Sequence, residues 1–570
     1  MFFQIRIRSQ FAYRSDIMAQ TIYINGNIIT MDDSQPTVEA LVQKGGAIAY
    51  VGDNETALSY KSLFTKVVDL GGKTMVPGFI DGHSHFFYSS IIETLVCNLS
   101  HPPLGDIESI DDIIQRLKDF IVERNIKPGK IVMGMGYDQS LLKDGRIPTR
   151  DDLDQVSTEH PVAITHQSGH VAVFNSYILN ELGIDDDTPD PDGGSYGRYK
   201  GTTKPNGIAE ETAMMSVQID YFPKPSFWDL RKVFKNGQRF YAENGITTAQ
   251  DGGLKKLMLL PYKVAKWFRW LDIDVFGYWF ADKREEVREY LDLKASGKTT
   301  IGKMNLFGIK VLLDGSPQAK TAWLTEPYHV VPDDKSDDYR GYPMIPNNAQ
   351  VEGIYDEVVK HKLQVLTHTN GDAASDQLIN AYEKAVNKHH PNENLRPVMI
   401  HAQTVRKDQL ERMVPIGMIP SFFQMHTYFW GDWHLDSVLG PTRGHNISPT
   451  RWAADLDIKF NVHCDTPVLP PHTAYMLWTA VNRKTRSGRT IGADHRLTVT
   501  EALKAQTIWA AYAYFEEDRK GSLEVGKEAD LAILDRDPLT IPEDDLRHIQ
   551  VLETIKAGKT IYKRKQKELA

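Results

Sequence analysis

Short runs in which apolar and polar residues alternate crowd both ends of the chain. Over 21–74, "IYINGNIITM", "EALVQKGGAIAYVGDN" and "KVVDLGGKTMVPGF" keep that two-residue period around Asn-Gly, Gly-Gly and Gly-Asp turns, which predicts β-hairpins. The C-terminal stretches "GSLEVGKEADLAILDRDP" and "IQVLETIKAGKTIYKR" resume the style, so both ends are expected to complete one β unit. Between them, apolar runs of strand length alternate with helical stretches, the pattern of βα repeats around a parallel sheet. Eight runs stand out: "MVPGFIDGHSH", "GITTAQDGG", "DIDVFGYWF", "LFGIKVLLDG", "LQVLTHTNGD", "RPVMIHAQ", "GMIPSFFQ" and "KFNVHCDTP". Eight strands close a (β/α)₈ barrel.

Residues 91–242 separate the first run from the second and hold mixed elements of their own, so they read as an insertion. The expected organisation is a β-sandwich part over 18–75, the first barrel strand over 76–90, an inserted domain over 91–242, the rest of the barrel over 243–515, and the second sandwich part over 516–570.

Composition narrows the picture. A chain of 570 residues with 41% apolar and 25% charged residues has ample material for a globular core. A net charge of -9 offers no basic field for nucleic acid. Cys97 and Cys464 are the two cysteines, too few for a disulfide framework, which fits a reducing compartment and leads to a cytoplasmic expectation. No apolar run approaches about eighteen residues, so no membrane span is predicted. Arg6, Arg8 and Arg14 precede the first acid, Asp16, and suit either an organellar leader or an extension ahead of the first strand.

Candidate chemistry begins in "VPGFIDGHSHF", residues 76–86, where His83 and His85 are separated by one residue. Side chains two apart on a strand share a face, which is metal-ligand spacing. A barrel makes a further demand, because its active site gathers at the carboxyl ends of the strands. His83 and His85 end the first run, Lys310 lies in the fourth, His368 ends the fifth, His401 the sixth and Asp465 the eighth. His463 shares a face with Asp465 but lies deeper and reads as barrel filling, while Cys464 points away from that face as a small hydrophobe.

Together "VPGFIDGHSHF", "PTRDDLD", "SGHVAVFNS", "GITTAQDGG", "IKVLLDGSPQAKTAWL", "THTNGD", "IHAQ", "HCDTPV" and "GSLEVGKEADLAILDRDP" resemble the metal-dependent amidohydrolase superfamily, in its YtcJ-like and N-substituted formamide deformylase group. The resemblance implies a distorted (β/α)₈ TIM barrel, a small β-sandwich built from both termini and an inserted α+β domain over the active site. It implies that His83, His85 and Asp465 bind one divalent ion, that His368 and His401 bind a second, and that a carboxylated Lys310 bridges them. An ion pair with Asp314 is the alternative role for Lys310, and it would favour a single metal. Zinc suits imidazole and carboxylate ligands, without excluding manganese, iron or cobalt. Asp465 would act as general base and then general acid. His170 and His426 would bind substrate.

Several positions depart from the group's pattern. "HTNGD" replaces His-Ala-Ile-Gly-Asp, Ile400 stands where a glutamate is usual, and Pro317, Gln318 and Lys320 follow the fourth strand. The expected activity is hydrolysis of an amide or N-formyl C–N bond in a small molecule by metal-activated water. A mononuclear deaminase-like enzyme and a non-catalytic binding protein on the same scaffold are the alternatives. The partners expected are the small-molecule substrate and, as one compatible assembly, a second copy in a homodimer, with no nucleic acid or membrane.

Overall fold

The computed structural model describes residues 20–139, 141–167, 169, 171–191, 194–332 and 335–565; His170 and the arginine-bearing start lie outside them. Eight of the nine strands of the central sheet run in parallel: β1 (Phe79–Ile80), β2 (Ile246–Leu254), β3 (Asp274–Phe280), β4 (Met304–Leu312), β5 (Gln364–Thr369), β6 (Val398–His401), β7 (Ile419–Phe422) and β8 (Asn461–Val462). Each pairs in parallel with its sequence neighbour, from Phe79 opposite Ile246 to Phe422 opposite Val462. Just beyond β1 and β8 the two ends of the sheet meet through a parallel bridge between Ser84 and Thr466. This is a TIM-barrel-like α/β fold. β2 and β3 are buried along almost their whole length, as strands covered on both faces require.

Closure depends on a glycine. A Cβ on Gly82 would sit 2.8 Å from the Val462 carbonyl oxygen and closer still to the Asn461 side chain, so only a residue without one lets the end of β1 pass β8. Helix α1 (Phe86–Leu95) starts directly after His85. It packs on α2 (Phe227–Ala242), with the Phe87 and Phe234 rings 5.4 Å apart, and Phe234 in turn meets Tyr262 of α3 (Leu259–Phe268) at 5.5 Å. These rings join the large core surrounding the barrel.

The first of two terminal sheets orders strands Ala47–Gly52, Ala40–Lys44, Gln20–Ile24 and Thr65–Asp69. The second places Thr74–Pro77 between the early strand Asn27–Ile29 and the late strand Leu531–Leu534, with Met75 opposite Ile533. A buried charge cluster ties these sheets to the barrel: Asp274, the first residue of β3, receives Lys520 at 2.6 Å and Lys556 at 2.8 Å, while Asp530 receives Lys556 at 2.7 Å. A third sheet, of six strands between Cys97 and Glu211, lies in sequence between β1 and β2. No helix among the described residues is long and apolar enough to cross a membrane.

Candidate metal centre

The His-x-His pair is not on a regular strand. β1 ends at Ile80, and both histidines lie beyond it, where Ser84 bridges to Thr466 and His85 bridges to Asp251 of β2. These bridges preserve the alternation that a longer strand would supply. Ser84 turns away from the histidines: its hydroxyl donates to Asp81 and, at 2.9 Å, to the Gln250 carbonyl, and accepts from the Tyr241 hydroxyl. The rings of His83 and His85 therefore end 5.3 Å apart.

Each ring is oriented by the nitrogen it turns outward. His83 Nδ1 is held by the Gln250 side chain and His85 Nδ1 by the Gly252 carbonyl at 2.6 Å. The Nε2 atoms of both then face Asp465 Oδ1 at 3.5 Å. Gly252 also leaves room for this arrangement, since a Cβ there would lie 2.8 Å from the His83 ring. Lys310 of β4 brings its Nζ to 3.1 Å from His83 Nε2.

Across the mouth, His401 Nε2 lies 3.0 Å from His368 Nδ1 and 3.8 Å from Asp465 Oδ2. The second nitrogen of His368 lies near the Gly315 carbonyl, at 3.1 Å, and the Asn370 amide, at 3.0 Å. His401 and Asp465 hold positive φ angles of 75° and 51°, a conformation rare for residues with a Cβ and concentrated at functional sites. All six metal-site residues from the sequence reading thus lie around one mouth.

Electrostatics leave three of the imidazoles as ligands in waiting. Burial pushes His83 and His401 well below the ordinary histidine range and His368 to about 3, so their imidazoles are neutral and keep a lone pair. Burial also brings Lys310 down to about 7, against the pull of Asp465. Burial disfavours the Asp465 carboxylate, yet its contacts with His85, His83 and His401 hold it well below the usual range. Its Oδ1 is nevertheless buried with no hydrogen-bond partner among the described residues. Such an orphaned anionic oxygen, with imidazole nitrogens turned toward it, fits a divalent cation. The tightest set is His83, His401 and Asp465, whose ligand atoms lie within 4.8 Å of one another.

The Lys310–Asp314 pair weighed from sequence does not form among the described residues. Asp314 instead accepts backbone N–H groups of Gly371 at 2.7 Å, Asn370 at 2.9 Å and Trp323 at 3.0 Å. His426 is buried against His434, with Nδ1 to Nε2 at 2.9 Å, and its ring lies 4.5 Å from both Phe423 and Trp430. Trp430 also lines a cavity of about 490 Å³ with Asp138, His166, Gln318, Trp433 and Arg486. His463 is more than barrel filling: its Nε2 meets His401 Nδ1 at 3.1 Å and its Nδ1 meets the Ser421 hydroxyl at 2.9 Å. Asp81 and Gln250 are the supporting residues that motif reasoning missed. Only Asp81, two residues before His83, carried a sequence signal.

The histidines and Asp465 gather at the carboxyl mouth of a TIM-barrel-like fold, where the active sites of such barrels lie. The amidohydrolase family pattern matches residues 66–562, and the chain belongs to that family. It is 28% identical to the N-substituted formamide deformylase of Arthrobacter pascens over 96% of this chain and 99% of that protein. The putative amidohydrolase YtcJ of Bacillus subtilis is 24% identical over 96% of this chain and 100% of its own length. Among solved structures, an uncharacterized metal-dependent hydrolase from Pyrococcus horikoshii superposes with a TM-score of 0.71 at 25% identity, covering 92% of this chain and 99% of that one.

Proposed function

We propose that the protein is a metal-dependent hydrolase that cleaves the C–N bond of a small amide or N-formyl compound. The observation that carries this reading is the convergence of His83, His85, Lys310, His368, His401 and Asp465, from five strand ends or the segments just beyond them, around an orphaned carboxylate oxygen. His83, His85 and Asp465 would hold one divalent ion and His368 and His401 a second, with zinc the best match to these donors. The ions supply Lewis acidity that polarises a carbonyl and acidifies water.

The chain's own groups do the rest. Asp465 takes the proton of the attacking water and returns it to the leaving nitrogen. Lys310 would join the two halves as a carbamate: the lone pair of its uncharged amine bonds the carbon of carbon dioxide, one N–H proton leaves, and a neutral side chain becomes an anion. An uncharged amine is the form that undergoes this addition, and the buried site favours that form. The body of the substrate occupies the cavity beside Trp430 and Arg486, with His426 next to Trp430; substrate binding by His170 stays part of the proposal from sequence alone. The formamide deformylase relative supports N-formyl amines as the first compounds to try.

A second reading, a single ion with deaminase-like chemistry, is favoured by the compactness of the His83, His401 and Asp465 set. Metal analysis separates the two: the first expects about two equivalents and a carbamate on Lys310, the second about one and no carbamate. Purified protein should be screened on formamides, N-acyl amines and cyclic amides before and after chelation. Activity should vanish with chelator and return with zinc, and Asp465→Asn should lower kcat by about 10² to 10⁴. Turnover indifferent to chelator would sink both readings.

A further inference from the structure

We infer that the outer face formed by α2 and α3 docks the protein onto an anionic lipid surface. The chain as a whole is acidic, at -9, yet residues 224–269 carry ten lysines and arginines against three acids, a balance of +7. Those three acids are already engaged. Asp251 is buried beside the histidine centre, Asp229 caps α2 by accepting from Ser226, and Glu243 pairs with Arg239. By contrast, Arg231, Lys232, Lys235, Lys256, Lys263 and Lys266 are exposed and make no ion pair among the described residues. Arg231 and Lys235 on α2 are four residues apart and Lys263 and Lys266 on α3 are three apart, so on each helix the two share an outward face.

The same faces carry large apolar side chains in solvent. Trp228 is 79% exposed, Leu257 87% and Trp267 83%, and Leu260 is exposed as well. The aromatic side chains of the two helices meet, since Phe227 of α2 lies 5.5 Å from Trp228 and 5.8 Å from Phe268 of α3. Tryptophan and leucine interleaved with lysine and arginine match the chemistry of a bilayer interface, where indoles sit among headgroups, aliphatic chains enter the acyl boundary and cations meet anionic lipid.

Other occupants fit less well. A second copy bound about a twofold axis would lay this cationic face on itself, and like charges in register oppose association. The chain's own start carries Arg6, Arg8 and Arg14 against Asp16, so it brings the same sign. Single-stranded nucleic acid would use the aromatics for stacking but leave Leu257 and Leu260 without a role, since aliphatic side chains have no π face. This lipid contact runs against the sequence expectation of no membrane partner, which rested on the absence of a span and not on where the charge lies.

The test is co-sedimentation of the full chain with phosphatidylcholine vesicles, with and without phosphatidylserine, in low salt and in about 1 M salt, where screening is nearly complete. Binding is expected only with phosphatidylserine and only in low salt, with a blue shift of tryptophan emission. Lys263→Gln with Lys266→Gln should weaken partitioning roughly thirtyfold. Trp228→Ala with Trp267→Ala should weaken it independently, and thermal melts should stay unchanged because all four positions are exposed. No binding to phosphatidylserine, or binding untouched by either pair of substitutions, overturns the inference. So does a solution dimer that the tryptophan pair dissolves, which assigns the face to a second copy, or oligonucleotide binding lost in the same variants, which assigns it to nucleic acid.

Discussion

Gln250 illustrates how much of the centre depends on residues that touch no substrate. Its side-chain oxygen meets His83 Nδ1, while its amide nitrogen donates to the Tyr514 hydroxyl at 2.6 Å and the Gly82 carbonyl at 3.1 Å. The amide is thereby fixed from three sides and presents His83 Nε2 to the mouth. Outer partners of this kind set ligand orientation and are worth about 10- to 100-fold in metal affinity. Gln250→Leu is expected to weaken zinc binding by that factor, read by competition with a chromophoric chelator, and unchanged affinity would deny it the orienting role. His463→Ala should act similarly on His401, because it removes the ring between His401 and Ser421. The ligand candidates were legible in the sequence because imidazole and carboxylate at strand ends are chemically conspicuous. Gln250 was not, because a glutamine on a buried strand has no signature until its partners are known.

At the scale of elements, the period of the apolar runs located all eight barrel strands, since buried parallel strands must be apolar on both faces. What the period did not reveal was length. β1 and β8 contain two residues each, and the chemistry lies in the irregular segments that follow them. There the backbone is held by isolated bridges and side-chain hydrogen bonds, which leave no periodic trace. Gly82→Ala tests this junction. Its Cβ would collide with the β8 backbone, so we expect a loss of about 1 to 3 kcal/mol. Urea unfolding should show a lower midpoint at unchanged slope.

In the whole molecule, the acid–base cluster between barrel and terminal sheets bears the junction. Lys556 is almost fully buried and contacts Asp274, Glu528 and Asp530 within 2.9 Å. Lys556→Met leaves these carboxylates partly uncompensated and is expected to destabilise by about 3 to 5 kcal/mol in chemical denaturation. Burial opposes charge on Asp274, yet Lys520 and Lys556 hold its pKa well below the ordinary value. A depressed carboxyl pKa contributes in full above the unfolded value of about 3.9, and the contribution is lost as pH falls toward the depressed value. The urea midpoint of the wild type should therefore drop as pH falls below about 4, and Asp274→Asn should start lower at neutral pH and show a shallower drop. The order of strands, the kinds of ligand and the family pattern were determined by the sequence alone, because periodicity and side-chain chemistry are local properties. Which nitrogen of each histidine faces inward, which acid Lys310 avoids, and where an acidic chain gathers its positive charge were decided only by the tertiary structure, since each depends on contacts between residues far apart along the chain.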